Sequence, residues 1–157
     1  MKEVMDKMKR TGLIALELLL LALIVTTSLN ADSKADVEKV IMESYFNGAF
    51  NDLDTVSMRK GFHPDFAIFS AKGNEISRYP IDTWIVGIEK RKQDPNFDPS
   101  QAKMDCKIAS LHITGECAAA KIEILKNGTM IFTDYLSLLK FDDGWKIVAK
   151  VYHRHPK

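Results

Sequence analysis

Residues 102–155 read AKMDCKIASLHITGECAAAKIEILKNGTMIFTDYLSLLKFDDGWKIVAKVYHRH, and this stretch decides the fold. It divides into four strand-like segments: Lys103 to Ile113, Cys117 to Lys126, Met130 to Phe141 and Trp145 to His153. The separators are Thr114-Gly115-Glu116, Asn127-Gly128-Thr129 and Asp142-Asp143-Gly144. Each contains a glycine able to take positive φ, and Asn-Gly or Asp-Gly between apolar runs is the strongest short-range hairpin signal. The stretch predicts a continuous antiparallel meander, with the preceding chain as cover for one of its faces.

Upstream, Val37, Val40, Ile41, Tyr45, Phe46 and Ala49 recur at helical spacing, predicting an amphipathic helix over 34–50 with Asp32 or Ser33 as cap. A second short helix is expected over Asp54 to Lys60, capped by Asp52 or Asp54 and ended by Gly61-Phe62-His63-Pro64. Asp65 to Ala71 and Glu75 to Tyr79 read as a strand pair about the turn Lys72-Gly73-Asn74. Pro80 opens a third helix, with Ile81, Trp84, Ile85 and Ile88 on one face, running to about Lys92. Asp94 to Ser100 reads as a polar loop. This order segregates helices to one side of a sheet, an α+β pattern.

The first 31 residues read as a leader. Lys2, Lys7, Lys9 and Arg10 form a positive region, and Leu13 to Val25 an apolar one of secretory length, followed by small residues suited to cleavage. The alternative is an uncleaved membrane anchor over 13–29. Both readings start the folded domain at residue 32, running to 157, outside the cytoplasm: a cleaved leader makes it secreted or periplasmic, and an uncleaved one leaves it membrane-anchored.

A chain of 157 residues with 22 Lys+Arg and 21 Asp+Glu has a formal net charge of +1. That balance supplies no field to draw in nucleic acid, and Arg91 with its lysine neighbours is too small a basic cluster to change this. Cys106 and Cys117 fall in adjacent predicted strands. With the turn near Thr114-Gly115, Cys117 faces His112 and Cys106 faces Glu123, too far apart for a disulfide, so both are expected as buried or half-buried thiols.

Several segments carry a family likeness: Tyr45-Phe46-Asn47-Gly48, Phe62-His63-Pro64-Asp65-Phe66, Tyr79-Pro80-Ile81, Asp134-Tyr135-Leu136-Ser137-Leu138-Leu139-Lys140, Gly144-Trp145-Lys146-Ile147-Val148, and the terminal Tyr152-His153 with His155-Pro156-Lys157. With this element order, the chain resembles the nuclear transport factor 2-like (NTF2-like) superfamily and, within it, the SnoaL-like branch labelled "putative lumazine-binding". The resemblance implies a cone-shaped α+β fold, a curved antiparallel sheet wrapped around a long N-terminal helix with two further helices. It also implies a pocket in the cone, where desolvation tunes an Asp, His or Tyr for proton transfer.

The polar residues set among apolar ones in the last two strands are Asp134, Tyr135, Tyr152 and His153. A two-residue turn at Asp143-Gly144 pairs Asp134 with His153, making an acid/base couple on one face. A three-residue loop Asp142-Asp143-Gly144 instead pairs Thr133 with His153 and Tyr135 with Val151. Asp134 and His153 are therefore the catalytic candidates, and Tyr45, His63, Tyr135, Tyr152 and Trp84 the ligand-binding ones. His63, before Pro64, also suits a local hydrogen bond that holds the turn at Asp65. Trp84, Phe66, Phe69 and Trp145 also suit a core. His153 and His155 share strand spacing, but no carboxylate or cysteine at matching spacing completes a metal site, and neither metal nor cofactor is expected. The function expected is binding of a small, largely apolar or aromatic molecule in the cone. Two alternatives stand beside it: a lyase or isomerase using an Asp, His or Tyr proton-transfer group, and an assembly module that dimerises through its sheet.

Overall fold

A computed structural model of the chain describes residues 33–156, and the fold is that of the compact unit beginning at Asp36. The leader or anchor expected over 1–31 lies outside the described residues. Among those described, no helix is long and apolar enough to cross a membrane.

Helix α1 (33–51) is α-helical at first and π-helical over Ile41–Asn51, where Asp52 N–H donates to Asn47 O, five residues back, at 2.8 Å. The apolar stripe foretells a helix but not this wider winding, which turns both Tyr45 and its neighbour Phe46 into the core. Its end is clamped to the residue that precedes the first meander strand: Asn51 Nδ2 donates to Met104 O (3.1 Å) while Met104 N–H donates to Asn51 Oδ1 (3.0 Å). Helix α2 (Thr55–Gly61) is capped by Asp54, whose Oδ1 accepts from Val56 and Ser57 N–H. It ends on Gly61, because a Cβ there would stand 2.3 Å from the Cβ of Ser44; only glycine lets α2 close on α1.

Strands β1 (Phe62–Lys72) and β2 (Glu75–Pro80) form a hairpin, followed by α3 (Ile81–Gln93) and a short α4 (Pro99–Ala102) that begins in the last two residues of the expected loop. Asp98 caps α4 by accepting from Ser100 N–H. The meander is β3 (Asp105–Thr114), β4 (Cys117–Lys126), β5 (Thr129–Phe141) and β6 (Gly144–Arg154). Asn127 and Gly128 both take positive φ (52° and 77°) between the paired Lys126 and Thr129, the backbone twist that suits a two-residue hairpin.

The six strands form one curved, open sheet in the order β2-β1-β6-β5-β4-β3. All neighbours are antiparallel except β1 and β6, which run parallel, so the expected antiparallel sheet is corrected to a mixed one. Hairpin signals identify only neighbours joined by a tight turn. The β1–β6 pairing is made across α3, α4 and four strands, and leaves no local signature. Alternate residues of the sheet, among them Ile122, Ile124, Leu136, Leu138 and Ile147, are fully buried with Phe62 and Phe66 against Ile41, Tyr45 and Phe46 of α1 and Ile81, Ile85 and Ile88 of α3. On the opposite face Tyr135 and its partner Val151 are exposed.

Both cysteines are free. Cys117 faces Thr114 and Cys106 faces Ile124, not the expected His112 and Glu123, because the turn is the two residues Gly115-Glu116 between paired Thr114 and Cys117, and a register shift between Ile108 and Ser110 recovers only one residue of the offset. Cys106 is half-buried as expected, whereas Cys117, next to the turn, is exposed.

Candidate functional site

One irregularity in β6 builds the site. From the turn, Trp145 and Ile147 point into the core, and Ile147 pairs with Leu138. The next pair is Ala149 with Ser137, which leaves Val148 as an extra residue. Such a bulge reverses the alternation beyond it. Lys150 and Tyr152, which strict alternation from Ile147 would put outside, take the inner side. Asp134 then faces Tyr152, and Lys150 faces Leu136, so Asp134 and Lys150 are diagonal neighbours on one face.

Tyr45 completes the group from α1. Its hydroxyl donates to Asp134 Oδ2, the Lys150 Nζ donates to the Tyr45 oxygen at 2.9 Å, and Nζ stands 3.2 Å from the same Oδ2. Relative exposures of 0% for Tyr45 and Asp134 and 5% for Lys150 put all three out of water. The other carboxylate oxygen, Asp134 Oδ1, is buried and has no hydrogen-bond partner among the described residues. Around Nζ stand four aromatic rings, those of Tyr45 (5.0 Å to the centroid), Tyr152 (5.3 Å), Trp84 (5.4 Å) and Phe50 (5.7 Å). Ring faces attract a cation.

Burial acts on each ionisable group in its own direction. It pulls the Lys150 amine below the ordinary lysine value, the nearby Asp134 carboxylate opposing only in part. Burial first, then the Asp134 charge, pushes the Tyr45 hydroxyl well above 10.0, and the same two causes push the Cys106 thiol up to about 12.

Linkage gives these shifts a sign. A raised folded value means that the folded state keeps a proton that the unfolded chain has lost, so stability falls with rising pH above 9.0 for Cys106 and above 10.0 for Tyr45. Lys150 acts oppositely: between its lowered folded value and 10.5 the unfolded chain holds more protons, and its contribution rises with pH. Urea midpoints measured from about pH 8 to about pH 11 should therefore decline at the alkaline end, and the decline should flatten in a Tyr45→Phe, Cys106→Ala double variant. An equal decline in both proteins would contradict the assignment.

Three of the rings around Nζ, those of Phe50, Trp84 and Tyr152, also line a cleft of about 480 Å³, with Ile68, Phe132 and Lys150 itself. The volume suits a small ligand. Tyr45 and Asp134 do not line it, so Lys150 is the member of the group that meets the cleft. Another hollow, about 460 Å³, lies near α1, α2 and the β5–β6 turn. Its charged residues, among them Asp36, Lys39 and Glu43, are exposed except for half-buried Lys146, and it contains no fully buried ionisable side chain.

The model of the family described as "Putative lumazine-binding" matches residues 32–153. The chain belongs to this family. An NTF2-like protein of unknown function from Shewanella baltica OS155 is 28% identical, with 81% of this chain and 97% of that one covered at a TM-score of 0.64. A second NTF2-like protein of unknown function, from Methylobacillus flagellatus KT, is 26% identical, with coverages of 78% and 94% and a TM-score of 0.53. Among curated proteins, "Aldolase FrzH" of Cladobotryum sp is 26% identical over 127 residues, 80% of this chain and 96% of that protein.

In this member of the lumazine-binding family, the residues singled out in the sequence separate into two sets. Asp134, Tyr45, Trp84 and Tyr152 come together around Nζ. His153 does not join them: it pairs with Thr133 and is exposed, so the Asp134–His153 couple is absent. Neither turn considered for the last hairpin occurs. The loop is Asp142-Asp143 between paired Phe141 and Gly144, and the bulge then brings the distant pairs into the register of the three-residue alternative. Tyr135 lies on the outer side. His63 accepts a hydrogen bond from Asp65 N–H at Nδ1 (3.1 Å) and stacks on Phe141, holding the local turn away from the cleft. Lys150 is the residue that sequence reasoning missed. A lysine between Ala149 and Val151 in an apolar strand was the available signal, but regular alternation assigns it to solvent.

Proposed function

We propose that this family member binds a small, largely apolar or aromatic molecule in the cleft, with an oxygen of the ligand, carbonyl or anionic, directed at Lys150. The observation that carries the reading is a buried lysine at the wall of a cleft whose other lining is mainly aromatic. The rings supply area and orientation, and the amine supplies the buried polar contact, with exposed Arg154, Ser70 and Ser77 as the other polar lining. The leader-like segment over 1–31 supports action outside the cytoplasm.

A second reading, catalysis as a lyase or isomerase at a carbonyl compound, is favoured by the Tyr45–Asp134–Lys150 group, a proton-transfer array out of water. Similarity to a protein named as an aldolase supports it.

A thermal-shift series on the full-length protein tests binding, using lumazine, flavin and small aromatic aldehydes and ketones. A ligand at about 100 times its Kd stabilises by about 2.7 kcal/mol, a shift of about 5–11 °C. Tyr152→Ala, which removes a half-exposed cleft ring, should reduce the shift. Failure of every class to move the midpoint of a well-folded sample would remove the binding reading.

A further inference from the structure

We propose that Lys150 is a nucleophile that condenses with the carbonyl group of the bound molecule, so that this family member works through an imine. The inference rests on the binding reading above and deepens it by naming the ligand's reactive group.

The geometry argues for it in three ways. Lys150 Nζ is the polar end of a closed array whose other two members, Tyr45 and Asp134, lie behind it and away from the cleft. A lysine needed only for an ion pair would not have to meet the cleft. Nζ is also ringed by Phe50, Trp84 and Tyr152, the aromatics that line the cleft, so a planar carbonyl compound lying among them presents its carbon to the nitrogen. Finally, an amine must shed a proton before it can attack, and an acceptor is in place: Asp134 Oδ2 at 3.2 Å, with the Tyr45 hydroxyl touching both. Desolvation in an apolar pocket is the ordinary means of activating a lysine for this chemistry.

The step balances with no further reactant. The Lys150 ammonium passes one proton to Asp134, and the nitrogen lone pair forms the C–N bond as the carbonyl π pair moves to oxygen. A second proton passes from nitrogen to that oxygen, giving a carbinolamine. Asp134, directly or through Tyr45, returns its proton to the hydroxyl, which leaves as water while the C=N bond forms. The products are a protonated imine, water and the original Asp134 carboxylate. Its positive nitrogen draws electrons from the neighbouring carbon, the requirement shared by α-proton removal and by cleavage of the next carbon–carbon bond.

The test is reductive trapping on the full-length protein with benzaldehyde as probe. Borohydride delivers hydride to the imine carbon and fixes the adduct as a secondary amine, which peptide mapping by mass spectrometry then locates. We expect Lys150 to be modified at least tenfold faster than exposed lysines such as Lys72 and Lys90, saturably with probe concentration. Lys150→Arg should abolish that adduct while the slow labelling of exposed lysines stays as in the parent; if the variant does not fold, mapping of the native protein decides alone. Labelling spread over exposed lysines with Lys150 unmodified overturns the imine. In that case, a retained thermal shift leaves the binding reading intact, and its loss removes both.

Discussion

Lys150→Met is expected to destabilise the fold by about 3–5 kcal/mol near neutral pH, the cost of leaving one partner of a buried ion pair behind. The Asp134 carboxylate would remain wholly out of water with Tyr45 as its one hydrogen-bond partner. Lost packing is a lesser part of the effect, since methionine nearly matches the lysine stem. A triple variant, Tyr45→Phe, Asp134→Leu, Lys150→Met, separates the two contributions. Replacing every member of a buried polar group with apolar residues of similar volume is often neutral or stabilising. The triple variant should therefore recover most of the stability while losing the proposed imine trapping at the cleft. Urea unfolding midpoints of the three proteins decide the matter. A single variant within about 1 kcal/mol of the parent would mean that water or another cation reaches Asp134 and that the group is not sealed as described.

Phe66→Ala is expected to cost about 3–5 kcal/mol, the range for emptying a phenylalanine site in a packed core. Phe66 is completely buried, meets Phe62 edge-on at 4.7 Å between centroids and stacks on Trp84 at 6.1 Å. It also backs the Trp84 ring that lines the cleft, so the same substitution should weaken ligand binding although Phe66 never meets the ligand. Phe66→Leu should lose less of both. Ile76→Ala, at a side chain 78% exposed on the edge strand, should stay within about 0.5 kcal/mol of the parent and serves as the control. Equal losses for Phe66→Ala and Ile76→Ala in chemical denaturation would refute the assigned core.

The sequence was informative wherever structure is made by neighbours. Asn127-Gly128 set its hairpin, Asp54 capped its helix, and the apolar stripe of α1 selected its buried side. It was silent where one residue changes the meaning of those that follow. Val148 carries no mark that distinguishes it from any β-branched residue in a strand, yet as the extra residue it exchanges the inside and outside of everything beyond it. Asp134 was legible as a polar residue among apolar ones, and the ring positions of Tyr45, Trp84 and Tyr152 followed from the expected cone. Lys150 was not, since its inward orientation exists only after the bulge. The parallel β1–β6 pairing escaped for a related reason, because no turn joins the two strands. The π winding of α1 escaped as well, since an apolar stripe reports a buried side and not the number of residues per turn.

The position of β6 between β1 and β5 has a consequence for how the chain is made. During synthesis, the β1–β2 hairpin and the β3–β5 meander emerge as two half-sheets, each with an open edge that only β6 can fill. Such edges pair with other chains when left uncovered. The nascent protein remains sticky until its sixth strand has cleared the ribosome, and a stalled or prematurely released chain is a natural client for chaperones. The strand that seals the sheet also brings in Lys150, so the buried amine enters its aromatic enclosure only as the fold closes.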